Sequence, residues 1–517
     1  MKKTRILWAD DEIELLKPHI LFLQSKGYEV IAVNNGDTAV EEAKKETFDI
    51  IFLDEQMPGI SGLDALIQIK AIHPDIPIIM ITKSEAEDIM EAAIGSQIND
   101  YLIKPVNPNQ ILLSIKKNID QKDIITQKTT MSYQIEFSQL GNSILQARTW
   151  NDWVDIYKKL THWELLLNES KDRGMNEVFQ MQKNDANANY TKFIKLNYLS
   201  WLQSQNDEKP LLSPGIIKEK VLPQLVQGNK TVLLVIDNLR YDHWMSIRPI
   251  LSEYYSVQED SLYCSILPTS TQYCRNAIFA GLMPLEISKM YPDLWMNDDD
   301  DEMKNQFEES LLQSQLKRLG YNEKFFFEKI TAINPGKRVT DKLQSILQHQ
   351  LSVIVYNFVD TLSHSRTEMD MIKELASDEA AYRSLTISWF KHSTLFELLQ
   401  ELASKDIRLI ITTDHGSVRV QNPIKVIADK TVTNNLRYKQ GKSLDYNPKQ
   451  VFEIKKPQEA HLPSVNLSSA YIFATGQDFF AYPNNFNHYA NYYRDSFQHG
   501  GISMEEMMIP CVRLCSK

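Results

Sequence analysis

Three short apolar runs in the second half of the chain each end at an acidic residue. Thr231–Ile236 runs into Asp237, Val353–Val359 into Asp360, and Ile407–Thr413 into Asp414. Runs this short and this rich in branched residues predict buried strands of a parallel sheet. Ligands of such sheets gather beyond the carboxyl ends of the strands, so the three carboxylates are expected on one edge. Imidazoles accompany them: His364 follows Asp360 by one helical turn, His415 follows Asp414 directly, and His499 opens His499-Gly500-Gly501 near the C-terminus. Carboxylates and imidazoles without thiolates suit a pair of borderline divalent ions, zinc or manganese. The pattern is that of an enzyme.

A chain of 517 residues exceeds one ordinary core, and roughly two to four domains are expected. A net charge of -11 argues against broad attraction to nucleic acid. No basic-then-apolar leader opens the sequence, and no apolar stretch is long enough for a bilayer. The four cysteines, Cys264, Cys274, Cys511 and Cys515, are too few for a disulfide scaffold. A cytoplasmic protein with reduced thiols and no membrane partner is the expectation.

Residues 1–122 alternate strand and helix five times, which predicts a doubly wound α/β sheet. The strands are expected at Arg5–Ala9, Glu29–Val33, Asp49–Leu53, Ile76–Ile81 and Asp100–Ile103. Asp10, Asp11 and Asp54 fall at strand ends, with Thr82 and Lys104-Pro105 at others. Carboxylates meeting at one rim repel unless a cation neutralises them, and oxygen-only ligation favours magnesium. This stretch resembles the response-regulator receiver family, with a flavodoxin-like fold. The resemblance implies that Asp54 accepts a phosphoryl group from a sensor histidine kinase. It further implies Mg2+ held by Asp10, Asp11, Asp54 and the Gln56 carbonyl. Lys104 would pair with the phosphoryl oxygens ahead of a cis bond to Pro105, while Thr82 and Tyr101 match the switching hydroxyl and aromatic. Met57-Pro58-Gly59 and Gly62 fit the loop after the acceptor.

From 123 to 209 the pattern becomes long polar helices, expected as a small bundle linker. Phe137, Leu140, Ile144 and Leu145 keep helical spacing, as do Trp153, Ile156, Tyr157 and Leu160, then Phe193, Leu196, Leu199 and Leu202. No compact helix pair with a basic recognition helix is present, so sequence-specific DNA binding is not expected. The aromatic stripe fits core or interface better than a base reader. Asn206–Gly215 has the composition of a connector.

Pro268-Thr269-Ser270-Thr271 precedes a helical stretch ending at Gly281. Such a turn suits helix capping, and helix N-termini also attract phosphate. In order, Asp237, this turn, Asp360-x-x-x-His364, Asp414-His415-Gly416 and His499 resemble the alkaline phosphatase superfamily, the phosphodiesterase and PglZ-like branch in particular. The tail from His499 to Pro510 is similar to PglZ, and the resemblance covers residues 210–517. It implies an α/β alkaline-phosphatase-like domain with cap insertions and two metal ions. One would be held by Asp360, His364 and His499, the other by Asp237, Asp414 and His415 with Thr271 completing it. Thr271, spaced from Gly281 as in nucleotide phosphodiesterase relatives, is chosen as nucleophile over Thr269 and Ser270. Arg275 lies one turn on, placed either to touch a non-bridging oxygen or as a surface charge. Cys274-Arg275 does not supply a sulfatase's Cys-x-Pro-x-Arg.

Residues 282 to about 345 are expected as a cap carrying the acidic run Asn297–Glu302, read as a solvated loop. A second insertion, 417–460, carries Lys425, Lys430, Arg437, Lys439 and Lys442; these are either solvated side chains or a positive rim for a polyanion. The whole order resembles the PorX-like family of receiver–PglZ regulators associated with type IX secretion. That implies a phosphorylation-controlled, two-metal phosphodiesterase acting on nucleotide or oligonucleotide esters, with a phosphorylation-promoted homodimer. The competing reading is a regulator whose phosphatase-like domain chiefly binds a partner such as a sigma factor.

Overall fold

A computed structural model describes residues 4–83, 98–170, 173–203, 209–296, 305–330, 339–368, 376, 378–427, 435–464 and 469–517. The acidic run 297–302 and Lys430 lie outside the described residues, as does the side chain of His364. Two compact units result, Met1–Ile135 with Glu169–Asp172 and Glu136–Asn168 with Arg173–Lys517. Among the described residues no helix is long and apolar enough to cross a membrane.

The first unit holds a parallel five-stranded sheet in the order β2-β1-β3-β4-β5. Its strands are β1 (Arg5–Ala9), β2 (Glu29–Val33), β3 (Ile50–Asp54), β4 (Ile78–Thr82) and β5 (Asp100–Ile103). Alternation decides which side chain faces which core, because successive residues of a strand point to opposite faces. Leu7, Ala9, Ile51 and Leu53 join one core. Ile6, Trp8, Ile50 and Phe52 join the other.

Three long helices follow, α1 (Gln121–Gln146), α2 (Trp150–Ser170) and α3 (Arg173–Gln203). The expected aromatic stripe is core: Trp153 packs on Tyr190 and Phe193, and Trp150 on Trp201. Leu196 departs from its expected inward placement and is 81% exposed.

The catalytic candidate is built on a six-stranded sheet. Its strands are β6 (Thr231–Ile236), β7 (Tyr255–Cys264), β8 (Phe325–Ile330), β9 (Leu351–Tyr356), β10 (Arg408–Thr412) and the C-terminal strand Met508–Ser516. They lie in the order β7, C-terminal strand, β10, β6, β9, β8, and the C-terminal strand runs antiparallel to both neighbours. Every residue of β6 and β9 is buried, as expected for a sheet covered on both faces. Two local expectations change. β9 stops at Tyr356, so Asp360 sits in the first turn of the helix α5 (Phe358–Glu368) rather than at the strand end. The stretch after residue 282 is not wholly cap: it contributes the edge strand β8 and the helices Glu308–Arg318 and Val339–Gln348. The second insertion is a lobe of small sheets between Val418 and Gln498.

Candidate active site

In the receiver-like unit, the ends of β1 and β3 bring oxygens of Asp10, Asp11 and Asp54 within 4.8 Å of one another. Asp10 and Asp54 are buried while Asp11 is exposed. Lys104 Nζ lies 2.9 Å from both Asp10 and Asp54 and enters ahead of a cis Lys104–Pro105 bond. Burial pushes the Asp54 carboxyl up to about 6, with Lys104 opposing it and Asp10 adding to it. A divalent cation beside these carboxylates would relieve that repulsion, so the donor set fits magnesium. Gln56 is exposed in the loop after β3, and Tyr101 is 41% exposed. The Thr82 hydroxyl donates to the Glu55 carboxylate. Gly62 is required by close approach: a Cβ there would lie 2.1 Å from the Asp54 carbonyl oxygen.

The second site lies past β6, β9 and β10. Asp237 follows β6, Asp414 and His415 follow β10, and their ligand atoms lie within 4.8 Å of one another. Thr271 is the first residue of the helix α4 (Thr271–Ala280), and its Oγ lies 3.0 Å from His415 Nε2. His499 stacks on His415 with ring centroids 4.1 Å apart. Its Nε2 stands 3.7 Å from Asp360 Oδ1. Thr269 is differently engaged: its hydroxyl donates to the Gly501 carbonyl at 2.9 Å and accepts from Gly500 N at 3.0 Å. Of the expected set, Asp237, Thr271, Asp360, Asp414, His415 and His499 therefore converge. His364 stands one turn beyond Asp360 on α5, with no described side chain.

The tautomers follow from the hydrogen bonds. His415 Nδ1 lies 3.1 Å from the Gly416 carbonyl and His499 Nδ1 lies 3.1 Å from the Thr269 carbonyl. Each Nδ1 carries the proton, so each Nε2 lone pair faces carboxylates. His415 Nε2 is 3.7 Å from Asp237 and 3.8 Å from Asp414. Acceptors facing acceptors at these separations repel, whereas a cation about 2 Å from each satisfies both. Asp237 Oδ1 and Asp414 Oδ2 are also buried without a hydrogen-bond partner among the described residues. Burial pushes both carboxyls up, Arg275 opposing in each case, and pushes His415 down. The residues fit divalent metal.

Arg275 is neither a surface charge nor directed at solvent. It is 1% exposed, with Nη1 2.9 Å from Asp237 and 3.1 Å from Asn357 and Nε 2.7 Å from Glu308. Its guanidinium braces Asp237, one of the candidate metal-site carboxylates, against Glu308. Glu308 and Asn238 were not foreseen. Glu308 comes from the stretch expected as a cap, and Lys329 adds an ion pair to it at 3.2 Å. Asn238, at φ 62°, follows Asp237 and donates to Asp360 at 3.4 Å and to Ser363 at 3.2 Å. An Asn after a strand-ending Asp was the available signal, since Asn tolerates the left-handed region better than most residues.

Neither reading of the basic stretch, solvated side chains or a positive rim, holds for Lys425, Lys430, Arg437, Lys439 and Lys442 alike. Arg437 is buried against Glu506 at 2.6 Å, and Lys439 is buried over the Tyr482 ring. A basic stretch of sequence does not show which cations a fold takes inside. Lys425 and Lys442 remain exposed.

Family models match three consecutive stretches: the response regulator receiver domain at residues 6–116, the PorX response regulator linker domain at 123–202, and the BREX system PglZ alkaline phosphatase-like domain at 216–514. The chain is 29% identical over 142 residues to the transcriptional regulatory protein ZraR of Klebsiella oxytoca, covering 28% of this chain and 32% of that one. It is 27% identical over 167 residues to the transcriptional regulatory protein ResD of Bacillus subtilis, covering 32% of this chain and 69% of that one. The chain thus spans about a third of ZraR and about two thirds of ResD. A receiver domain from Methanospirillum hungatei aligns with TM-score 0.23 and 26% identity, covering 23% of this chain and 96% of that one.

Proposed function

This chain belongs to the PglZ alkaline phosphatase-like family, carried behind a response-regulator receiver and a PorX-type linker, and from that premise we propose a phosphorylation-controlled, two-metal phosphodiesterase. The observation that carries the reading is the Thr271 hydroxyl 3.0 Å from His415 Nε2, beside two buried carboxylate oxygens with no hydrogen-bond partner among the described residues. Asp237, Asp414 and His415 would hold one zinc or manganese ion, and Asp360 and His499 with His364 the second. Bound there, the pair would supply Lewis acidity at the attacking and leaving oxygens.

The chain's own residues do the rest. Thr271 Oγ attacks phosphorus, forming a P–O bond as the ester oxygen departs with the electron pair of the broken bond. Its proton passes to solvent, and the departing ester oxygen takes one from solvent to leave as the alcohol. Water then cleaves the phospho-threonine and returns the hydroxyl. The Gly416 and Thr269 carbonyls orient the two imidazoles through their Nδ1 protons. Arg275 and Glu308 fix Asp237. In the receiver, Asp54 takes the phosphoryl group from a sensor histidine kinase, with Mg2+ on Asp10, Asp11, Asp54 and the Gln56 carbonyl. Thr82, Tyr101 and Lys104 respond to it.

Nucleotide phosphodiesters are the proposed substrates; with Arg437 and Lys439 taken inside, short esters are favoured over long oligonucleotides. The PorX-type linker supports a place in the control of type IX secretion, through a phosphorylation-promoted homodimer and a partner such as a sigma factor. Hydrolysis of bis-p-nitrophenyl phosphate by zinc-loaded protein tests the chemistry. A chelator is expected to abolish turnover, and Thr271→Ala to lower kcat at least about 1000-fold. Equal turnover by Thr271→Ala would remove the nucleophile assignment.

A further inference from the structure

One face of the linker helix α3 grips the chain on both sides of the Thr271–His415–His499 cluster. Lys183, Asn187 and Tyr198 are separated by four and then eleven residues, spacings that return to the same side of a helix. Tyr198 is fully buried, and its hydroxyl accepts from Leu267 N at 2.8 Å. Leu267 leads directly into Pro268-Thr269-Ser270-Thr271. Toward its other end the helix holds the segment after His499. Asn187 donates to Glu505 at 3.0 Å and accepts from Met504 N at 2.8 Å. Lys183 Nζ lies 3.1 Å from Glu505 and 2.9 Å from Glu164.

Residues 499–507 form a hub under the site. Gly501 N donates to Glu506 Oε1 at 2.8 Å, and Gly416 N donates to the Glu506 carbonyl at 3.2 Å. The Glu505 carbonyl lies so close to Gly416 that a Cβ there would come within 2.0 Å of it. Displacing Glu505 therefore displaces the backbone that carries both histidines. We propose that α3 positions the phosphoester site, with Tyr198 holding the entry to the nucleophile turn and Lys183 and Asn187 holding the His499 hub. As an account of regulation this rests on the phosphodiesterase reading; as an account of geometry it does not.

Adhesion between linker and domain does not require this arrangement. A buried ion pair contributes little net stability over apolar packing, and Lys158 already ties the linker to β7 through the Asp260 carbonyl at 2.8 Å. A polar cavity of about 520 Å³ adjoins Lys183, Asn187, Glu164 and Glu505. Water can reach Lys183 and Asn187 from this cavity when their grip opens. A slide or rotation of α3 moves both grips at once. The linker also lies between receiver and site along the chain, which makes it the direct covalent route for a phosphorylation-dependent change.

The test uses full-length protein carrying Asn187→Ala with Tyr198→Phe, with Lys183→Met, its conservative counterpart Lys183→Arg, and Lys158→Met as a control. Amide hydrogen exchange is followed in residues 265–274 and 499–507, together with zinc dissociation and kinetics on bis-p-nitrophenyl phosphate. In the double variant, exchange in both segments is expected to rise at least about tenfold and zinc affinity to fall about tenfold. A fall in kcat of about 10–100-fold is expected, with KM within about twofold. β6 and β9 should stay protected, Lys183→Arg should recover most of the loss seen with Lys183→Met, and Lys158→Met should change neither segment. Both segments as protected as in the parent would overturn the proposal. A parent protein that neither binds zinc nor hydrolyses ester would instead remove the phosphodiesterase reading, with exchange still deciding the positioning role.

Discussion

Replacing Arg275 with Met tests the electrostatic account of the metal site most directly. The guanidinium makes three close polar contacts, to Asp237 at 2.9 Å, Glu308 at 2.7 Å and Asn357 at 3.1 Å, all inside the protein. Asp414 stands 3.8 Å away as a further charge partner. Met retains most of the packing volume and deletes the charge. Glu308 keeps its pair with Lys329, but Asp237 loses its nearest cation. Removing one partner of a buried pair costs about 3–5 kcal/mol, because the remaining charge stays desolvated. The metal-free variant should therefore unfold with that much less stability, followed by calorimetry on the transition of the C-terminal domain. Protonation of Asp237 offers an escape, so the loss should shrink as pH falls. A bound divalent ion offers another: the variant leans on it for charge compensation, and zinc should recover more than half of the loss. Equal stability of the metal-free variant and parent would refute the charge argument. The same loss with and without zinc would show that Arg275 and a metal do not share these carboxylates.

Other consequences are independent of that one. His243 is fully buried with neither ring nitrogen hydrogen-bonded among the described residues, and burial pushes it down to about 3. The unfolded histidine takes a proton near pH 6.5 while the native one does not, so native stability is lost as pH falls below 6.5. The slope is about 1.4 kcal/mol per pH unit. His243→Phe should make the acid limb of a denaturation series shallower, and an unchanged limb would contradict this. Asp54→Asn should lose the shift toward dimer that beryllofluoride produces in the parent on sizing chromatography; an equal shift would place the trigger elsewhere. Gly62→Ala puts a methyl 2.1 Å from the Asp54 carbonyl oxygen. It should lower receiver stability by about 1–3 kcal/mol in denaturant titration, and a neutral result would show that the loop yields freely.

Local pattern alone determined a good deal. Run length and flanking turns located β1, β2, β5 and β6 to the residue. For β1 and β6 the reason is that a strand buried on both faces leaves an uninterrupted apolar stretch. The partly exposed edge strands β2 and β5 were located because turn residues bound them. The order of acids and imidazoles pointed to the edge where Asp237, Asp414, His415 and His499 meet, since parallel strands deliver their carboxyl ends to one rim. What local pattern does not carry is the partner of a charge. Arg275 has the spacing of either a substrate contact or a surface residue, and only the approach of Glu308 made it a buried brace. Arg437 and Lys439 sit in a basic stretch, yet Glu506 and Tyr482 drew them inside. Asp360 moved from strand end to helix because β9 stops at Tyr356. The grip of α3 on Leu267 and Glu505 joins residues far apart in the chain, and helical periodicity says only that one face must find something to pack against. Periodicity is a property of neighbours in sequence, whereas desolvation and charge pairing depend on neighbours in space.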